Sequence, residues 1–150
     1  MKNHFLVLPL LFLIFSCSES VDSKNPLVDF NSSPNEWLLH GRTYAEERHS
    51  PLDQINTSNV DQIGLSWSFE TGTNRGHETT PIVKDGVMFI TAPWSVVHAL
   101  DAKTGDLLWT HDPQVERAWA NNACCDVVNR GVALYENSIF FGALDGRLIS

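Results

Sequence analysis

Cys124 and Cys125 stand side by side in the sequence, and adjacency restricts what their sulfurs can do. A trans peptide separates neighbouring Cα atoms by about 3.8 Å, less than the roughly 4.4–6.8 Å usual across a disulfide. A bond between these sulfurs would close a tight, strained ring, a small apolar plate suited to pressing on a flat ligand. Two other readings stand beside it: a pair of thiols packed as small hydrophobes, or half of a metal site. Adjacent residues make a poor metal clip, and the remaining cysteine, Cys17, falls in the N-terminal leader region. Arg130, shortly after the pair, offers a planar fork of donors suited to a carboxylate. The histidines are scattered, and His77 has neither a base nor a ligand beside it in sequence. No nucleophile triad, phosphate loop or zinc spacing is present, and Asp101 and Asp126 are not candidate bases.

The elements that must position these residues are strands. Leu65, Trp67 and Phe69 alternate with Ser66, Ser68 and Glu70, which predicts a half-buried strand. Residues 71–77 are a polar loop. Strands follow at Thr80–Lys84, Val87–Ala92, Val96–Asp101 and Asp106–His111, with turns at Asp85-Gly86 and Thr104-Gly105 and a break at Pro93-Trp94-Ser95. Four short antiparallel strands in succession amount to about one propeller blade. Upstream, residues 37–56 read as a surface strap with a turn at Ser50-Pro51. Ser58 or Asn59 would cap a short helix over Val60–Ile63, stopped by Gly64.

A repeat supports the blade. Sliding the chain by 51 residues lays Lys84-Asp85-Gly86 on Tyr135-Glu136-Asn137 and Val87–Ile90 on Ser138–Phe141. Gly131–Ser150 is therefore expected to begin a second blade. Residues 71–79 and 112–130 become successive crossings on one propeller face, where ligands bind. The same shift places Glu78 and Arg130 at near-equivalent positions, by the mouth of the central channel. One and a half blades cannot close a ring, so the chain is expected to be a fragment of a longer protein.

The run Asn121-Asn-Ala-Cys-Cys-Asp-Val-Val-Asn-Arg-Gly131 resembles the vicinal-disulfide signature of pyrroloquinoline quinone (PQQ) dependent alcohol and methanol dehydrogenases. Ala99-Leu-Asp-Ala-Lys-Thr-Gly-Asp-Leu-Leu-Trp109 fits the tryptophan-docking motif of PQQ propellers, in which the Trp wedges between blades. Gly76-His-Glu-Thr-Thr-Pro81 resembles the segment whose Glu hydrogen-bonds the cofactor. Trp37–Tyr44 and Arg48–Asn56, with their Ser-Pro-Leu and Gln-Ile-Asn pieces, resemble the family's N-terminal stretch. The resemblance implies an all-β fold, the first one and a half blades of an eight-bladed propeller. It implies PQQ held by Glu78, Cys124, Cys125 and Arg130, with a Cys124–Cys125 disulfide stacked on the quinone. It also implies a Ca²⁺ or lanthanide ion, whose ligands, like the catalytic Asp, are expected beyond residue 150. No catalytic or metal-ligating residue is assigned within this chain.

Composition and compartment agree with that expectation. The hydrophobic content of 43%, with five Trp and eight Phe, suits a packed β core. A net charge of −8 argues against nucleic acid as a partner. Met1–Ser16 reads as a signal peptide: Lys2 supplies the positive end and Phe5–Phe15 the short apolar stretch. Ile14-Phe15-Ser16-Cys17 resembles a bacterial lipobox, making Cys17 the expected lipidation site. Ordinary cleavage near Ser16 or Ser20 is the alternative. Residues 17–36 read as a tether, and residues 37–150 as propeller. Export, to the periplasm and by way of a lipid anchor to a membrane, favours persistent disulfides.

The expected function is oxidation of an alcohol to an aldehyde or ketone, with a hydride passing to the quinone and electrons to a cytochrome or similar carrier. The alternative is a non-catalytic propeller lipoprotein of PQQ-like repeats acting as an envelope assembly scaffold. The lipobox and docking motif fit both. The vicinal cysteines, Glu78 and the Asn-Arg-Gly ending fit only the enzyme. Membrane glucose dehydrogenases fit less well, because several N-terminal spans and no adjacent cysteines would be expected.

Overall fold

A computed structural model of the chain describes residues 33–150. The expected signal peptide, Cys17 and all but the end of the tether lie outside the described residues. Among the described residues, no helix is long and apolar enough to cross a membrane.

Among the described residues, seven strands form two antiparallel sheets. β1 (Ile82–Lys84), β2 (Val87–Ala92), β3 (Val96–Asp101) and β4 (Leu107–His111) pair in that order, and β5 (Ala133–Tyr135), β6 (Ser138–Gly142) and β7 (Leu148–Ile149) form the second sheet. The second blade thus extends one short strand beyond its expected half. The repeat reaches down to register: Ile90 pairs with His98, and Phe141 with Ile149 in the same relation one repeat later. Asp85 and Gly86 both have positive φ, 51° and 76°, the conformation that lets a two-residue hairpin match the right-handed strand twist.

The strands owe their placement to burial. β3 is central and covered on both faces, so Val97, His98, Ala99 and Leu100 are all buried and read as a run rather than an alternation. β4 lies at the sheet edge with every residue exposed. At the turn before it, the Asp101 carboxylate accepts the backbone N–H groups of Lys103 and Thr104, each at 2.9 Å. Those two donors hold its carboxyl below the usual range. Trp109 faces Phe89 at 6.0 Å and lines, with Ile139, Phe141 and Ile149, a cavity of about 370 Å³ between the sheets. That is a wedge position between blades. His111 meets Phe141 edge-on at 5.9 Å, and Lys84 Nζ donates to the Glu136 carbonyl at 3.0 Å.

Upstream of β1 the structure departs from three expectations. Leu65–Glu70 forms no ladder among the described residues, and Leu65 is 86% exposed. The alternation still marks a packed side: Phe69 meets the His98 ring at 5.2 Å, and Trp67 covers Gly105. A Cβ on Gly105 would run into the Trp67 ring. The helix expected at Val60–Ile63 is a single 3-10 turn, Val60–Gln62, without a side-chain cap. Asn59 instead accepts from Asn56 N–H and donates to the Gln54 carbonyl, a local loop that competes with capping. No backbone turn forms at Ser50-Pro51, although Leu52 N–H donates to Ser50 Oγ at 3.3 Å, a side-chain turn. Pro51 favours an extended residue before it, and the bends fall at Gly41–Ala45 and Gln54–Ile55. The strap nevertheless reaches the sheet, because Trp37 and Val83 exchange backbone hydrogen bonds at 3.0 and 2.9 Å.

Candidate functional site

The two crossings that precede β1 and β5 meet on one face. Thr80 N–H donates to the Arg130 carbonyl at 3.1 Å. Thr91, on β2, links both crossings: its N–H donates to Thr79 Oγ1 at 2.9 Å, and its hydroxyl to the Asn129 carbonyl at 3.1 Å. Asn129 in turn donates from Nδ2 to the Gly142 carbonyl at 2.8 Å and accepts the Gly131 N–H at 3.0 Å. Gly131 has φ 129°, and a Cβ there would lie 3.1 Å from the Thr80 carbonyl oxygen. Only glycine allows the second crossing to lie this close to the first.

This stitching brings the expected residues together. Arg130 Nη2 lies 3.0 Å from Glu78 Oε2, with the two side chains 73% and 42% exposed. The guanidinium therefore keeps donors open to solvent while Glu78 orients one end. Cys124 and Cys125 are exposed free thiols in this structure, with their sulfurs 2.7 Å apart and no bond between them. The Cys125 thiol is held above its ordinary pKa, first by the hydrogen bond and then by the charge of Cys124. Arg130 pulls it down and Glu78 pushes it up. Cys124, Arg130 and Glu78 thus all act on the Cys125 sulfur. An open hollow of about 430 Å³ lies beside Arg130 and is lined also by Ser95 and Asn129, but by neither cysteine nor Glu78.

Sequence reasoning missed four neighbours. Arg75 pairs with Asp126 across the crossings. Trp94, in the break between β2 and β3, carries two guanidiniums near its ring: Arg117 at 4.1 Å and Arg75 at 5.6 Å. The signal for the ion pair was present, because Arg75 and Asp126 stand one 51-residue repeat apart. No spacing rule could have found Trp94, which reaches the loop only through the fold. Trp119 is 39% exposed in a 3-10 segment, Arg117–Asn122. His77 bonds Thr71 Oγ1 through Nε2 at 2.7 Å, as a loop residue without a chemical partner. Among the described residues, no cluster of three or more His, Cys, Asp and Glu side chains could hold a metal ion.

Adjacent antiparallel sheets repeated at one interval, with their connections gathered on one face, define a segment of β-propeller. The chain belongs to the PQQ family described as "glucose/ethanol/alcohol dehydrogenase, beta-propeller domain", whose model matches residues 37–150. It is 57% identical over 115 residues to a 1-butanol dehydrogenase (cytochrome c) of Thauera butanivorans, covering 77% of this chain and 17% of that protein. It is 53% identical over 115 residues to a quinohemoprotein alcohol dehydrogenase of Comamonas testosteroni, covering 77% and 16%. Among solved structures, the quinohemoprotein alcohol dehydrogenase ADHIIG of Pseudomonas putida superposes with TM-score 0.78 at 52% identity, covering 81% of this chain and 19% of that one. A europium-containing methanol dehydrogenase superposes with TM-score 0.76 at 39% identity, covering 83% and 22%. The chain spans about a sixth of the length of the curated relatives it matches.

Proposed function

We propose that these residues form one wall of the quinone site of an exported PQQ-dependent alcohol dehydrogenase. The carrying observation is the convergence of Glu78, Cys124, Cys125 and Arg130 on one face from two crossings a repeat apart. The donor set fits a flat, acidic cofactor: an exposed guanidinium for its anionic edge and a sulfur pair exposed beside it. PQQ supplies a two-electron acceptor, with Ca²⁺ or a lanthanide as Lewis acid. The alcohol loses a hydride and a proton and leaves as an aldehyde or ketone, and the electrons pass on to a cytochrome.

The roles of this chain's own groups follow. Cys124 and Cys125, joined as a disulfide, form a rigid plate that fixes the plane of the bound ring and excludes water from that side. Arg130 donates to the anionic edge. Glu78 holds the guanidinium in place and offers a second polar contact. In this reading the protein is periplasmic, with Cys17 as its lipid anchor. The 1-butanol dehydrogenase of Thauera butanivorans carries cytochrome c in its name, which supports a cytochrome as the electron-transfer partner.

Titrating the full-length protein with PQQ while following absorbance, with mass spectrometry of the cysteine peptide, tests this reading. Uptake of quinone by protein carrying a linked Cys124–Cys125 pair is expected. Two free thiols with no quinone retained or taken up would overturn it and leave a scaffold.

A further inference from the structure

Arg75, Trp94 and Asp126 lie beside the cysteines, and the reading above does not use them. Cys125 is followed at once by Asp126, whose φ of 67° is left-handed, a conformation that Asp adopts more readily than most residues. The Asp126 carboxylate is gripped by Arg75 from the preceding crossing. Trp94, also left-handed at φ 67°, donates its backbone N–H to the Val127 carbonyl at 2.9 Å. Val127 itself is 1% exposed. The guanidiniums of Arg75 and Arg117 lie over the Trp94 ring, at 5.6 and 4.1 Å. The residue next to Cys125 is therefore fixed by its side chain, and the one after it by its carbonyl and by burial.

We propose that Arg75 and Trp94 are positioning residues that hold the Cys124–Cys125 plate against the quinone, an inference that rests on the quinone reading above. Neither needs to touch the cofactor. Arg75 fixes the loop through Asp126, and Trp94 fixes it through the Val127 backbone and by stacking Arg75. Arg75 and Asp126 are both partly exposed, and an exposed ion pair contributes little to global stability. Its loss should loosen the plate without unfolding the protein, which separates positioning from bulk stability.

The test uses the full-length protein and the variants Arg75→Gln, Arg75→Lys, Asp126→Asn and Trp94→Phe, with Lys103→Gln as a control for lost surface charge. Three quantities are read: the dissociation constant for PQQ by absorbance, the rate at which dithiothreitol exposes the sulfurs to maleimide, and Tm. Arg75→Gln is expected to weaken PQQ binding about tenfold, since a small misplacement of a site group is costly. It should also speed exposure of the sulfurs several-fold, with Tm matching the control. Asp126→Asn should give the same result, and the double variant no more than either, as for two ends of one contact. Arg75→Lys keeps the charge but loses planar stacking and should fall between. Trp94→Phe keeps the backbone bond and should show the mildest loss.

Parental values for both binding and exposure, or losses that only track Tm, would overturn the proposal. If the parent itself takes up no quinone, the quinone reading fails and the exposure rate decides alone: faster in Arg75→Gln supports positioning, unchanged overturns it. If the parent's sulfurs react without reductant, the same comparison is made on that direct reaction rate.

Discussion

Arg130 and Glu78 show how a partly exposed ion pair can matter. As an isolated surface pair it would contribute on the order of 0–1 kcal/mol to stability, so its value lies in aiming the guanidinium. Arg130→Lys retains charge and loses the planar fork. It is expected to weaken PQQ binding by about tenfold, roughly 1.4 kcal/mol, with little change in Tm. Glu78→Gln should weaken it less, because one hydrogen-bonding oxygen remains. Absorbance titration of the full-length variants, alongside thermal melts, checks both. Gly131 makes the sharper structural prediction. At φ 129°, with the Thr80 carbonyl 3.1 Å from any added Cβ, Gly131→Ala should cost about 1–3 kcal/mol and disturb the crossing contact. Denaturant melts would read the first effect and quinone affinity the second.

Among the elements, β3 carries an unusual group. His98 is 7% exposed, bonds Thr110 Oγ1 through Nδ1 at 2.9 Å, and leaves Nε2 buried without a hydrogen-bond partner. Burial, and then the charge of His77, lowers its pKa below 6.5. The folded state therefore binds fewer protons at this site than the unfolded chain in the window just below that value. Its contribution to stability is complete above pH 6.5 and is lost as pH falls toward the lowered folded value. Tm measured from about pH 8 down to pH 5 should fall more steeply in the parent than in His98→Gln. Equal slopes would refute the assignment. The same strand explains why element limits were legible. Its run of apolar residues, bounded by Ser95 and the Asp101 turn, has no other good use than a central strand. In Leu65–Glu70 the alternation reported which side packs, at Trp67 and Phe69, while no neighbouring strand bonds to it among the described residues.

The whole molecule presents exposed apolar edges. Leu107, Leu108 and Trp109 on β4 are 50%, 51% and 42% exposed, and neither sheet closes on itself. The relatives run to about six times the span matched here. By resemblance, the catalytic Asp and the metal ligands are expected beyond residue 150. Residues 18–150 prepared alone should therefore show no alcohol oxidation when supplied with PQQ and Ca²⁺ in a dye-linked assay. Turnover by that segment would place the chemistry within these blades and refute the assignment.

The candidate site was half legible before any coordinates. Chain order and the repeat interval determined the strands, most of their turns and the pairing of the crossings, because strand period, turn chemistry and repeats are local or periodic properties of a chain. The four proposed cofactor contacts rest instead on the resemblance of their motifs to the PQQ dehydrogenases. Only the structure decided which side chains meet beside that site. Arg75 reaches Asp126, and Trp94 reaches Val127, through contacts between segments far apart in sequence. Such contacts are set by how two sheets stack and how closely two loops approach, and those distances exist only once the chain is packed.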